Sequence, residues 1–393
     1  MNILLVSSDN NKTSGAFLCL VDLATYLKNI GINVIVVVPK KGDGIELLEK
    51  NKLRYKLIPS FSWVTYNGYS PKAIAKYVFK KIAIIYNKKA IREIKNLIIN
   101  EKIDIVHINT IFSYVGALAA KETNTSFIWH IRESLEKGFS SHVIWGKRGY
   151  DLINCADHII TVSDMLANEY SRLLDQSNQS TIYDGIDESC FYKLRDILNK
   201  TTITIACIGS LIKDKNQSEL ISAAKRLYSN GFSNFKILLI GKGAEENRLK
   251  SIVREEGLTD YISFLGQCSN VEEILQEVDI VCSVSKSEAF GRTLVEGMLS
   301  GCLVIAAESS SSAANEIIEN KETGLLYKLH DISGLTSLIE GILSRDKDNF
   351  YRKIALAGQR KCMDKFTARR NAEKIVYIYK KIIKANCKMK LNT

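Results

Sequence analysis

The chain has 393 residues, 46% hydrophobic and 25% charged, the balance of a globular protein that is too long for one ordinary core. Three prolines exclude a Pro-rich linker, and nine scattered cysteines without a Cys-x-x-Cys pair argue against a disulfide framework or a zinc site and point to a reducing cytosol. The net charge of +11 is uneven: residues 50–102 hold 13 Lys/Arg against 2 Asp/Glu, and residues 352–393 again hold 13 against 2. These stretches read either as solvated helical faces or as a surface for anionic lipid headgroups, where each nearby Lys or Arg adds roughly 1 kcal/mol. With no nucleic-acid module or basic–aromatic repeat in the sequence, nucleic acid is not an expected partner.

In chain order, Met1–Asp9 has a four-residue apolar run without a basic flank, so it reads as a first strand and not as a secretory signal. No apolar stretch approaches the ~20 residues that span a bilayer. The strand Ile3–Val6 leads to an amphipathic helix over Phe17–Asn29. Strands follow at Val34–Val38, Asp104–Ile108, Ser126–Ile131 and His158–Val162. Between them, Phe61–Tyr69 interleaves aromatics with small polar residues, and Pro71–Asn100 is helical. In that helix Lys72, Lys76, Lys80, Lys81, Lys88 and Lys89 stand against Ile74, Val78, Ile82 and Ile85, the pattern of an interfacial helix. Trp63 and Tyr66 suit sugar rings or lipid headgroups; packing against the following helix is the plainer alternative.

The pattern then restarts. Thr202–Ile208 is a strand, followed by a Gly209 turn and the helix Gln217–Tyr228. Strands follow at Phe235–Ile240, Ile262–Leu265, Ile280–Ser283 and Leu303–Ala306. Strands alternating with helical patterns indicate parallel βαβ units, so two Rossmann-like domains are expected, joined near Tyr192–Thr201. A ligand is expected at the carboxyl ends of the strands. No Gly-x-Gly-x-x-Gly follows strand one, which disfavours a dinucleotide oxidoreductase.

The segment Ser283–Ala307 carries the most chemistry. Glu288 and Glu296 stand with seven residues between them, around Gly291, which turns the chain into a helix over Thr293–Ser300 with Gly301 at its end. The N–H groups of Arg292, Thr293 and Leu294 lie in the first turn, without intrahelical acceptors, and suit a phosphate. Glu288 is placed for a sugar hydroxyl and Glu296 for ribose hydroxyls. Two further turns suit phosphate: Ser14-Gly15-Ala16 after strand one, and Gly209-Ser210-Leu211-Ile212-Lys213-Asp214-Lys215 after the first strand of the second half. The one Asp-x-Asp, Asp346-Lys-Asp348, follows a helix in a polar loop and is a poor metal site.

These segments resemble glycosyltransferase family 4, of the GT-B fold, with its Glu-x7-Glu signature. Asp104–His107, Ala156–Ser163, Ile182–Asp187, Asn315–Ile318 and Thr323–Leu326 extend the likeness, which runs from about residue 3 to about 345. The resemblance implies an α/β, GT-B architecture of two Rossmann-like domains facing across a cleft. Residues 1–195 bind the acceptor and 196–365 the nucleotide sugar. The C-terminal helix and tail, 366–393, either cross back to the first domain or stay on the second. It implies retention of configuration, no metal and no cofactor. Lys215 stands at a family lysine that grips the donor diphosphate. Ser210 replaces a family arginine, so Lys213 or Arg292 is the candidate for the missing cation. A family histidine near the reacting sugar points to His130 or Arg132, and Arg132 next to Glu133 is alternatively a plain ion pair.

The resulting expectation is a transfer from a nucleotide sugar, of UDP type, to a glycan or lipid-linked acceptor in bacterial surface polysaccharide synthesis, whether lipopolysaccharide, capsule or exopolysaccharide. It places the protein in the cytoplasm, peripheral on the inner membrane face through the basic residues 72–102. A non-catalytic nucleotide-sugar-binding partner subunit and a GT-B sugar-nucleotide epimerase are the alternatives.

Overall fold

The computed structural model describes residues 1–66, 71–344 and 348–391. The chain divides into two compact units. The first is Met1–Gly185 with Ala368–Thr393, and the second is Ile186–Thr367.

The first unit is built on strands β1 (Asn2–Val6), β2 (Asn33–Val38), β3 (Arg54–Leu57), β5 (Ile105–Ile108), β6 (Ser126–Ile131), β8 (His158–Thr161) and β9 (Gln179–Thr181). Among the described residues they form one sheet in the order β3-β2-β1-β5-β6-β8-β9, all parallel. A separate antiparallel pair joins β4 (Val64–Tyr66) to β7 (Ser141–Val143). The central strands are near-continuous apolar runs, as a sheet covered on both faces requires. One face is closed by Phe17, Leu20, Leu23 and Leu27 of the helix Gly15–Asn29, and by Ile375, Val376, Tyr379 and Ile382 of the helix Ala368–Leu391. The C-terminal helix is therefore a core element of the first unit.

The second unit has β10 (Ile203–Ile208), β11 (Phe235–Ile240), β12 (Ile262–Gly266), β13 (Ile280–Ser283), β14 (Leu303–Glu308) and β15 (Leu325–Lys328). Their order is β12-β11-β10-β13-β14-β15, again parallel. In each sheet the order reverses beside the first strand, at β1/β5 and at β10/β13. The loops leaving those strands are thereby set side by side.

The expected boundaries, 1–195, 196–365 and 366–393, differ from this division in two places. Residues 186–200 already belong to the second unit. Ile186 N–H donates to Phe366 O at 3.0 Å, Lys193 N–H to Leu299 O at 3.2 Å, and Ile197 and Leu198 enter its core. The tail is no independent segment, because its apolar stripe is buried against the first helix. β3, β4, β7, β9 and β15 were not expected. Arg54–Leu57 and Gln179–Thr181 are edge strands with few apolar residues, so no hydrophobic alternation marks them.

All three tryptophans, Trp63, Trp129 and Trp145, lie in the first unit, so their fluorescence reports its unfolding alone. Ile375→Ala removes a fully buried side chain there. It is expected to lower the stability of that unit by about 2–5 kcal/mol, read as an earlier tryptophan transition in urea. An unchanged midpoint would contradict the packing of the C-terminal helix.

Candidate functional site

In the second unit the loop after β10 and the loop after β13 meet. Lys286 N–H donates to Asp214 O at 2.8 Å, and Lys215 Nζ pairs with Glu288 at 2.5 Å. Both side chains are partly exposed, and the Lys215 stem lies over Gly209, 3.8 Å from where a Cβ would stand. Glu288 is held by its backbone. Its N–H donates to Ser311 O at 3.0 Å, and its O accepts from Ala313 N–H at 2.9 Å. A carboxylate and an ammonium are thus presented from two anchored loops at the point of strand reversal.

The glycines of this region are set by close approach. Gly241 has φ +140°, and a Cβ there would lie 2.0 Å from Gly209 O; a Cβ on Gly243 would lie 2.2 Å from Leu211 O. The two turns are tied together by Leu211 N–H donating to Lys242 O at 3.0 Å. Gly291, at φ +105°, makes the turn into the helix Arg292–Leu299.

That helix departs from expectation in two respects. The Leu294 N–H donates to Gly291 O at 2.9 Å, so it is not an open phosphate donor. Arg292 Nε donates to Glu296 Oε1 at 2.8 Å, and both side chains are largely buried. Burial pushes the Glu296 carboxyl above its usual range, and Arg292 opposes the shift. The two residues expected to act separately on ribose and phosphate are therefore partnered with each other. Ser210 and Lys213 are exposed.

In the first unit β5 and β6 lie side by side with Asn109 following β5 and Arg132 following β6. His107 and His130 continue the face of Ile105 and Ile128, which the two covering helices bury. His130 is fully buried. Its Nδ1 lies 3.2 Å from His107 Nε2 and 3.2 Å from Arg132 Nη2, while His107 Nδ1 lies 2.6 Å from the Tyr379 hydroxyl. Burial, then the Arg132 charge, lowers His107 to about 3 and His130 well below the usual range, so both rings are neutral at physiological pH.

Arg132 ends in an ion pair with Asp184, and its Nε donates to Asn109 O at 3.1 Å. Glu133 is not its side-chain partner. The Glu133 carboxylate accepts from the backbone N–H groups of Ile111 at 3.0 Å and of Arg132 at 3.3 Å. Burial pushes it up to about 8 despite those bonds. The Asp9 carboxylate accepts from Ser14 Oγ at 2.7 Å, and Gly15 is exposed at the helix start.

Trp63 is a core residue and not a surface platform. It is fully buried, its Nε1–H donates to Ile111 O at 2.6 Å, and it packs on Tyr114, Trp129 and Trp145. Tyr66 is 62% exposed; Asn67–Tyr69, Asp346 and Lys347 lie outside the described residues. The segment also packs on the following helix, where the Asn87 amide pairs both backbone groups of Phe61 at 2.8 Å. That helix, Pro71–Asn100, buries Ala83, Asn87, Ala90, Ile94 and Ile98. It leaves Ile74, Val78, Phe79, Ile82, Ile85 and Tyr86 at least half exposed beside the exposed Lys81, Lys88 and Lys89. The side chains of Lys72 and Lys76 lie outside the described residues. Among the described residues no group of three or more His, Cys, Asp or Glu is placed to hold a metal ion, and no helix is long and apolar enough to cross a membrane.

Asp184, Tyr379 and the 309–313 loop were not anticipated as site residues. Tyr379 reads in sequence as one apolar position of a helix, and Asp184 as part of a turn; only their packing reveals the polar partners.

The two parallel sheets with these switch-point loops define the GT-B class. The crystal structure of Anabaena HepE in complex with UDP-glucose matches with a TM-score of 0.78 at 20% identity, over 97% of this chain and 100% of that one. The chain belongs to glycosyltransferase family 4: the model described as Glycosyltransferase Family 4 matches residues 13–189, and that described as Glycosyl transferases group 1 matches residues 193–361. The N-acetyl-alpha-D-glucosaminyl L-malate synthase of Bacillus anthracis is 26% identical over 239 residues, 58% of this chain. A Campylobacter jejuni 4-alpha-N-acetylgalactosaminyltransferase named for a diphospho-undecaprenol-linked substrate is 27% identical over 195 residues, 49% of this chain. The matches span 60% and 52% of those two relatives.

Because the Glu133 pKa is raised from 4.5 to about 8, the folded protein keeps a proton there that the unfolded chain has released. Stability is therefore lost as pH rises between those values and is flat above them. Glu133→Gln keeps the acceptor oxygen and removes the ionisation. The melting temperature of the wild type is expected to fall more steeply from about pH 5 to about pH 8 than that of the variant. Parallel profiles would contradict the assignment.

Proposed function

We propose that the protein is a glycosyltransferase that moves a sugar, with retention of configuration, from a UDP-sugar to a glycan or lipid-linked acceptor in bacterial surface polysaccharide synthesis. The observation that carries this reading is the Lys215–Glu288 pair at the β10/β13 reversal, beside turns that only glycine fits. Support comes from HepE, whose structure holds UDP-glucose, and from the lipid-diphosphate-linked substrate in the name of the Campylobacter relative. Of the two alternatives, a mere binding subunit gives no reason for a carboxylate anchored against the lysine.

In this reading Lys215 and the first turn of the helix Arg292–Leu299 meet the negative charge that grows on the departing diphosphate. Ser210 adds a hydroxyl, but no charge. Glu288 leaves Lys215 to accept from a hydroxyl of the donor sugar. Glu296, with Arg292 neutralising it, accepts from ribose hydroxyls. The diphosphate charge is met by these groups and by no metal ion. The acceptor hydroxyl attacks from the face the leaving group departs, which is how configuration is kept.

We further place the protein on the cytoplasmic face of an anionic membrane. The apolar face of the helix Pro71–Asn100, flanked by exposed lysines, fits the boundary between headgroups and acyl chains.

A thermal-shift panel of UDP-, GDP- and ADP-sugars tests the donor. A cognate donor at a hundred times its Kd stabilises by about 2.7 kcal/mol, and no shift with any of them would sink the reading. Glu288→Gln is expected to lower kcat by about tenfold or more while UDP binding stays within about twofold, since the sugar contact and not the nucleotide is removed. Ile82→Glu with Phe79→Glu is expected to release the protein from anionic vesicles at physiological salt. Equal retention of wild type and variant would refute the membrane face.

A further inference from the structure

The ladder between β13 and β14 runs as far as Ser283 and Ala306, and the two chains meet again at Glu288 and Ser312. From the first pair to the second, the chain after β14 is one residue longer than the chain after β13. The extra residue puts the two backbones out of step between the pairs, as in a bulge. Ser309 fills that interval. Its Oγ–H donates to Lys286 O at 2.7 Å, and the same oxygen accepts from Ser311 N–H at 3.3 Å. Lys286 O thus takes a side-chain hydroxyl where the register offers no backbone N–H. The Lys286 N–H points the other way and donates to Asp214 O at 2.8 Å. Two residues on, Glu288 N–H donates to Ser311 O and Glu288 O accepts from Ala313 N–H. Ser312 Oγ turns to its own loop and accepts from Ala314 N–H at 3.2 Å. Of the four serines Ser309–Ser312, Ser309 alone reaches the Glu288 loop with its side chain among the described residues.

The Glu288 carboxylate has Lys215 as its ion-pair partner among the described residues. Once it leaves Lys215 for a ligand, its aim depends on the backbone that carries it. We propose that Ser309 is a positioning residue for Glu288: its hydroxyl locks the loop after β14 in register with the loop after β13 and so holds the carboxylate where a hydroxyl of the donor sugar meets it. The proposal rests on the glycosyl-transfer reading for the role of Glu288, and on the hydrogen-bond geometry for the clamp itself. The lysine side of the site has ties of its own. Lys215 N–H donates to Ile212 O and Leu211 N–H to Lys242 O, both at 3.0 Å. Ser309 therefore bears on the sugar contact and not on the diphosphate contact.

Ser309→Ala leaves Lys286 O without its donor. Its kcat is expected to fall about tenfold, with UDP affinity within about twofold of the wild type. Ser309→Thr keeps a hydroxyl in place and is expected to stay within about threefold of the wild-type kcat. A threonine variant as impaired as the alanine variant overturns the proposal. A general loosening of the fold would multiply with the loss of the carboxylate, whereas a residue that acts through Glu288 does not. Ser309→Ala is therefore expected to change kcat by less than about twofold when Glu288→Gln is already present. Full multiplication of the two losses overturns the positioning role. Amide hydrogen exchange on the full chain reads the clamp without turnover. The Glu288 and Ala313 amides are expected to exchange at least about tenfold faster in Ser309→Ala and at the wild-type rate in Ser309→Thr. Equal protection in the wild type and Ser309→Ala overturns the clamp. A wild type that transfers sugar from no nucleotide sugar would refute glycosyl transfer, while exchange still decides whether Ser309 holds Glu288.

Discussion

β10 pairs on one side with β11 and on the other with β13, and the chemistry of the second unit depends on that reversal. Two strands adjacent in space but far apart in sequence send their loops out at the same edge. One loop brings a lysine and a glycine turn, the other a carboxylate and a helix start, and in the proposed reading the two together meet the diphosphate. On the other side of β10 the loop after β11 comes so close that Gly241 and Gly243 have no room for a side chain against Gly209 and Leu211. Lys215 and Glu288 then neutralise each other at partial exposure, where breaking the pair costs little and a ligand can exchange for either partner.

The first unit meets the same reversal, at β1/β5, with the opposite balance of burial. Its polar residues lie under the helices that cover the sheet. A buried guanidinium is tolerable there because Asp184 neutralises it and Asn109 and His130 take its donors. Burial and the Arg132 charge keep the two histidines neutral. The C-terminal helix closes this arrangement by placing Tyr379 against His107, so the last part of the chain contributes to a network begun on β5 and β6.

Much of this was legible in the sequence. Alternating β-branched runs and helical stripes mark the parallel strands and their two-unit grouping, and the glycine turns mark where strands end toward a ligand. Glu288 and Gly291 stand out in a loop that follows a strand and opens a helix, and Lys215 through its likeness to a family lysine; the structure brings Lys215 and Glu288 together. What stayed hidden depends on packing between segments remote in sequence. Trp63 suited either a sugar-facing platform or packing on the following helix, and it proved to lie in a buried tryptophan and tyrosine cluster. Arg132 and Glu133 looked like a local pair, yet the Glu133 carboxyl takes the backbone N–H groups of Ile111 and Arg132, and the Arg132 guanidinium pairs with Asp184. Polar edge strands such as Gln179–Thr181 carry no periodic signal at all. The helix Pro71–Asn100 showed its lysines in sequence, but which apolar residues it would bury and which it would expose was decided by its packing on the helix Val115–Glu122 and on β4.

The central claim is that Lys215 meets the diphosphate of a nucleotide at the β10/β13 reversal. Calorimetric titration of wild type and Lys215→Met with UDP and with uridine tests it most directly. One charge-assisted contact to phosphate is worth about 1.5–3 kcal/mol, so the variant is expected to bind UDP about tenfold or more weakly and uridine as well as the wild type does. Undiminished UDP affinity, or an equal loss for uridine, would contradict the account.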